Sequence, residues 1–165
     1  MPKKLPDRDP IATHKRQSEA SRRVGIGNRC SCGENRPQAL IPKSQPTTCA
    51  KCNRLAQGHS TFDDHHVAGG ANDPTTAPVE VNDHRAELSV SQLNWPKEML
   101  QNPRGCPVIA VAARIQGFAE TLIHLLEKLI LWIPEMLMGL SSFLKNELGE
   151  KWWIGTPLER FAPGR

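Results

Sequence analysis

Asp63-Asp64-His65-His66-Val67-Ala68-Gly69-Gly70-Ala71-Asn72, followed by Asn82-Asp83-His84, is the stretch on which the reading of this chain turns. Three of the six histidines in the chain fall inside it, together with two asparagines. That density suits metal-assisted hydrolysis. A neutral imidazole can take a proton from water near pH 7, and imidazole or carboxylate ligands can hold a cation beside it. A neighbouring carboxylate, Asp63 or Asp64, can orient a ring or bind the cation. Gly69-Gly70 offers the backbone freedom of a hairpin turn, and Val79-Glu80-Val81 alternates as a short strand. Pro74 to Pro78 reads as an extended loop, and Asn82 or Asp83 can cap a short helix through Arg85 to Ser89.

Upstream lie two cysteine pairs, Cys30-Ser31-Cys32 and Cys49-Ala50-Lys51-Cys52, with sixteen residues between them. Zinc takes four thiolate or imidazole ligands in a tetrahedron, and two close pairs joined by a loop can supply them. Four protein ligands leave no position for water, so the expected role of Zn²⁺ is structural. Disulfides, or three of the cysteines with His59, are the alternative readings of the same residues. With Pro37, Pro42 and Pro46 between the pairs, residues 29–58 read as loop and short-strand material. The fifth cysteine, Cys106, lies between Gly105 and Pro107 and is given no catalytic role.

Asp64-His65-His66-Val67-Ala68-Gly69, then Asn72, then Asn82-Asp83-His84, resembles the HNH family of His-Me finger endonucleases over residues 62–90. The resemblance implies a β-hairpin and a helix gripping one divalent cation, Mg²⁺ or another, with cysteine pairs flanking the motif. It implies His66 as general base, His65 and His84 as cation ligands with Asp64 in place of or beside His65, and Asn82 bracing the loop and orienting the base. Arg85 would touch a phosphate. The pattern departs from the family in the short interval from Asn82 to His84 and in having both cysteine pairs upstream.

The chain of 165 residues is mildly basic, at +4, and only 38% apolar. Its fourteen prolines and twelve glycines lie mainly in the first 107 residues. That half builds little core by burial alone, so a bound metal is the expected stabiliser. Residues 1–28 are rich in Lys and Arg and lack apolar periodicity, which predicts a flexible basic arm. Lys15, Arg16, Arg22 and Arg23 would lie along the phosphates of a nucleic acid, with DNA the expected partner. Met1-Pro2-Lys3-Lys4 runs into charges and prolines rather than an apolar segment, which favours a cytoplasmic, thiol-reducing setting.

From Val108 to Ile133 apolar residues recur every three or four positions, in two adjacent rows. The remaining side is a narrow polar stripe of Arg114, Gly117, Thr121, His124 and Lys128, with His124 expected to be exposed. Pro134 is expected to kink or break this helix before a second one ends at Gly149. The wide apolar face calls for its own core, another copy or a protein partner along 108–133. Spanning a membrane is not expected, because charges interrupt Leu122 to Leu144.

The expected organisation is α+β. A basic arm (1–28) precedes a zinc ribbon and HNH-like ββα-metal module (29–93), a linker (94–107), an amphipathic helical hairpin (108–149) and a tail (150–165). The expected function is metal-dependent hydrolysis of phosphodiester bonds. The rival is a non-catalytic zinc-binding adaptor for nucleic acid or protein.

Overall fold

The computed structural model describes residues 9–162 and divides into two compact units, Met1–Leu122 and Ile123–Arg165. The basic residues expected at positions 3, 4 and 8 lie outside the described residues, as do 163–165.

The first unit opens with helix α1, Pro10–Val24. The Asp9 carboxylate accepts the Ala12 N–H at 2.9 Å, and Pro10 occupies the first turn, where no N–H is needed. Arg22 and Arg23 sit in the last turn, against the negative helix end. The flexible arm expected over 1–28 is therefore a helix from Pro10 to Val24. Its anchors are a buried last residue and polar contacts to Asn94 rather than an apolar face. Val24 is buried with Cys30, Leu40 and Cys49, and the Thr13 hydroxyl donates to Asn94 Oδ1 at 2.9 Å.

Helix α2, Ala50–Ala56, stands where loop and short-strand material was expected. Strands β1 (Phe62–His66) and β2 (Thr76–Glu80) pair antiparallel, with Asp63 opposite Val79 and His65 opposite Ala77. Most of the expected Pro74–Pro78 loop thus belongs to β2; Pro78 is tolerated because the sheet has only two strands. Gly69, at φ +74°, makes the expected turn.

Val81–Asp83 (α3), a π turn His84–Leu88 and Ser89–Leu93 (α4) follow as one helical run. Its cap is Glu80, whose carboxylate accepts the Asn82 N–H at 2.9 Å, not Asn82 or Asp83. Helix α5 is Lys97–Gln101. The linker expected at 94–107 instead lies within the first unit. Trp95 is buried with Ala68 and Ala113, and its indole N–H is shared by the Glu120 carboxylate oxygens at 3.0 and 3.1 Å.

Helix α6, Pro107–Leu129, turns its apolar row outward and buries the middle of the polar stripe, including His124, which was expected to be exposed. Ala113, Gly117, Thr121 and His124 are buried, whereas Val108, Val111, Ile115, Phe118, Leu122, Leu125 and Leu129 are exposed. Gly117 explains this arrangement. A Cβ there would stand 1.7 Å from Val67 O, so the helix meets the hairpin loop backbone to side-chain-free backbone. The Thr121 hydroxyl is satisfied by donating to Gly117 O at 2.8 Å.

In the second unit the helix breaks at Ile130–Leu131, not at Pro134. Leu131 N–H reaches Leu126 O and Ile133 N–H reaches Ile130 O, a brief interruption in place of a hairpin loop. Pro134 falls in the first turn of α7, Trp132–Leu148, where its missing donor costs nothing. The tail is turned, with Trp152 and Trp153 meeting edge-on and a 3₁₀ turn, Pro157–Phe161, capped by Thr156. By length and composition alone, Pro107–Leu148 is apolar enough to cross a membrane, despite its charges. The fold is α+β in the coarse sense expected, with helices and, among the described residues, one two-stranded sheet.

Candidate metal centre and histidine face

The four paired cysteines converge. One ligand atom from each of Cys30, Cys32, Cys49 and Cys52 lies within 4.8 Å of the others, and Cys32 Sγ is 3.6 Å from Cys49 Sγ. A tetrahedral zinc with bonds of about 2.3 Å would set its sulfurs about 3.8 Å apart. The cluster is therefore sized to hold a metal ion and is compatible with structural zinc.

Local backbone makes this geometry. Gly33, at φ +96°, closes the first turn by donating to Cys30 O at 2.9 Å. Leu40 bridges Cys49, bringing the second pair alongside, and Cys49 caps α2 with Sγ accepting the Cys52 N–H at 3.4 Å. His59 is exposed and outside the cluster, and all the cysteines are unbonded thiols, so neither alternative reading is realised here.

Burial by itself would raise the Cys30 thiol, but hydrogen bonds from the Cys32 and Cys49 backbones and the Cys32 and Cys52 thiols hold it at about 6. Cys52 is pushed up, first by Cys32, then by burial and the remaining thiols. At Cys32 a backbone contact with Glu34 lowers the thiol, yet burial and its neighbours Cys49 and Cys30 raise it overall. The Cys30 thiolate forms readily while Cys32 and Cys52 resist, which is the behaviour of a cage whose charge a cation would neutralise.

The cysteine region is stitched to the helical run by Arg36. Its guanidinium binds Glu34 at 2.7 Å, Asp83 at 2.7 Å and Glu87 at 2.5 Å. The side-chain hydrogen bond with Arg36 holds the Glu34 carboxyl at about 2, against the opposing effect of burial. Asn82 joins the same seam: its Oδ1 accepts the Lys51 N–H at 2.9 Å and its Nδ2 donates to Glu34 at 3.2 Å. Asn82, expected to orient the base, thus ties the cysteine helix to the helical run instead.

Strand alternation divides the histidine segment. Asp63 and His65 face inward with Ala77 and Val79; Asp64 and His66 face outward and are exposed. His65 is 2% exposed, and its ring meets that of His84 edge-on at 5.2 Å between centroids. His84 Nδ1 is 3.1 Å from Asp63 Oδ2, and Arg54 donates to the other Asp63 oxygen at 2.5 Å. Burial alone would raise the Asp63 carboxyl; contact with His84 and Arg54 outweighs it and lowers the group.

Of the expected cation ligands, then, His65 and His84 are brought together and Asp64 is not. The inward carboxylate is Asp63. Among the described residues, only the four cysteines gather as three or more metal-ligating groups at ligand spacing.

His66 stands at the exposed end of β1, where Gln92 clamps the backbone by donating to His66 O at 2.6 Å. Asn72 braces the same loop, donating to Ala68 O at 3.0 Å and Met99 O at 2.8 Å. Lys15, Arg22, Arg23 and Arg85 are exposed, whereas Arg16 is half-buried and hydrogen-bonded to Asn94.

Sequence reasoning missed Glu34, Arg36, Arg54 and Gln92. Only the Glu34-Asn35-Arg36 charge pair offered any local signal, and nothing in it pointed across to Asp83. No family model, curated protein or solved structure matches the chain, so the meaning of this site rests on its own geometry.

Proposed function

We propose that this chain is a metal-dependent nucleic-acid endonuclease of HNH type, scaffolded by zinc on Cys30, Cys32, Cys49 and Cys52. The observation that carries the reading is the meeting of His65, from the inward face of β1, with His84, from the start of the π turn, beside Asp63. π turns of this kind are frequent at functional sites. A divalent cation such as Mg²⁺ would bind at the contact between His84 and Asp63, with His65 drawn in from beside them, because the three do not stand at ligand spacing on their own. When bound, it supplies Lewis-acid neutralisation of the departing oxygen.

His66, exposed where β1 ends, is the general base that takes the proton of the attacking water. Arg54 keeps the Asp63 carboxyl ionised and in place. Arg85, with Lys15, Arg22 and Arg23 on α1, supplies sequence-independent attraction to DNA phosphates. Unbonded thiols fit a reducing, cytoplasmic setting.

Nicking of supercoiled plasmid with Mg²⁺, Mn²⁺ or Ni²⁺ tests this. His66→Ala should lower the rate roughly a hundredfold or more, with helical signal and zinc content unchanged. Wild-type protein that cuts nothing with any of these ions would sink the enzyme.

A second reading, a zinc-stapled adaptor, is favoured by one observation: the Asn82 amide is already engaged by Lys51 and Glu34. That reading expects one zinc per chain and no cleavage. Salt-sensitive DNA binding would mark a nucleic-acid adaptor, and its absence a protein adaptor.

A further inference from the structure

We propose that α6 pairs with α6 of a second copy of this chain in a parallel coiled coil. The exposed apolar positions from Val108 to Leu129 advance by 3, 4, 3, 4, 3 and 4 residues. A strict 3.5-residue period is what a partner helix imposes through knobs-into-holes packing; lipid imposes none.

The size of the face fits the same occupant. Val108 is 74% exposed, Ile115 66%, Phe118 64% and Leu129 65%. The whole row presents on the order of 700 Å², near the roughly 800 Å² per partner of a standard interface and above the roughly 300–600 Å² patch of an ordinary monomer.

Lipid is disfavoured by what holds the other side of the helix. Gly117 lies against Val67 O, and Glu120 accepts the Trp95 N–H and the Ser91 hydroxyl. A helix carrying polar chain along one side cannot be surrounded by hydrocarbon.

Charge selects the orientation. With Val108, Ile115, Leu122 and Leu129 on the first seam position of each heptad, the flanking residues are Arg114, Thr121 and Lys128 on one side and Ala112, Ala119 and Leu126 on the other. A parallel pair sets each cation against the apolar flank of its partner. An antiparallel pair centred on this stretch stacks basic flank on basic flank, bringing Arg114, which also binds Asp73 at 2.6 Å, opposite the partner's Lys128.

The test is the mass of the full chain in solution, by light scattering on a sizing column. Wild type is expected at twice 18.3 kDa. Ile115→Glu and Ile115→Lys, each at an exposed position, should be monomeric with unchanged helical signal. Mixing the two in equal amounts should restore the double mass, because position 115 faces itself only in a parallel pair. A wild-type chain that stays single at every concentration overturns the proposal, as does a double mass unaffected by both variants. Failure of the mixture to pair overturns the parallel arrangement. A single chain that co-floats with phosphatidylcholine vesicles overturns it in favour of lipid.

Discussion

The cysteine region and the histidine hairpin carry chemically similar ligands at similar density, yet the first gathers all four of its groups and the second splits them. Cys30 to Cys52 lie on a glycine turn, a bridge and a helix start, conformations that can aim successive side chains at one point. Asp63 to His66 lie on a strand, where neighbours must point apart. Close spacing in sequence predicts a shared site only when the backbone between the residues turns. The cysteines therefore form one cluster able to hold a metal ion, and the histidine face is divided between an inward pair and an outward ring.

Breaking the cysteine side should have the largest effect. Zinc binding to such a set is worth about 10–16 kcal/mol, comparable to the roughly 5–15 kcal/mol that holds a whole domain. Cys49→Ser, at a fully buried ligand, is expected to lose the metal and the cooperative thermal transition of the first unit, read by metal analysis and circular dichroism. A variant that melts like wild type would remove the contrast altogether.

Gly117→Ala should come next. Its Cβ would collide with the backbone of Val67 rather than with a movable side chain, so a loss of about 3 kcal/mol or more is expected in urea unfolding. A change below about 0.5 kcal/mol would show that α6 does not rest on the hairpin loop.

The seam joining the two regions gives a smaller, pH-dependent signal. Glu34 is held at about 2, below its ordinary 4.5, so it contributes stability above pH 4.5 that is lost as pH falls towards 2. Glu34→Gln should be less stable than wild type at pH 6, and the gap should close through that window. Comparing the two proteins at each pH cancels the protonation of the cysteines, which is common to both. A gap that stays constant with pH would remove the Arg36 contact as its source. The smallest effect on stability belongs to His66→Ala, within about 0.5 kcal/mol, because an exposed strand-end ring supports no packing. A larger loss would mean that the ring is structural.

What could be read from the chain follows the same physics. The cysteine cluster was legible because ligand spacing and tetrahedral chemistry are local. The hairpin was partly legible from Gly69 and the alternation at Val79–Val81, although β2 begins earlier, at Thr76. Helix α1 was not, since its cap at Asp9 and its contacts at Val24 and Thr13 replace the apolar periodicity that marks a helix. For α6 the apolar row was legible, but what covers it was left open, and His124, expected to be exposed, is buried. Periodicity locates an apolar row but does not say which side meets the rest of the chain, and the decisive residue, Gly117, has no side chain to count. At the histidines, the rings of His65 and His84 meet, while Asp64 and Asn82 were assigned by motif order and are placed elsewhere by strand alternation and by the demands of Lys51 and Glu34.

The close approach at Gly117 has a mechanical meaning. Phe118, its neighbour, lies on the exposed side of α6, while Gly117 itself presses on the residue that follows His66. With so little clearance, a small axial slide of the helix must be absorbed by the loop at Val67, immediately beside the outward imidazole. Anything that grips the outer surface of α6 therefore has a short, stiff lever on the position of that ring.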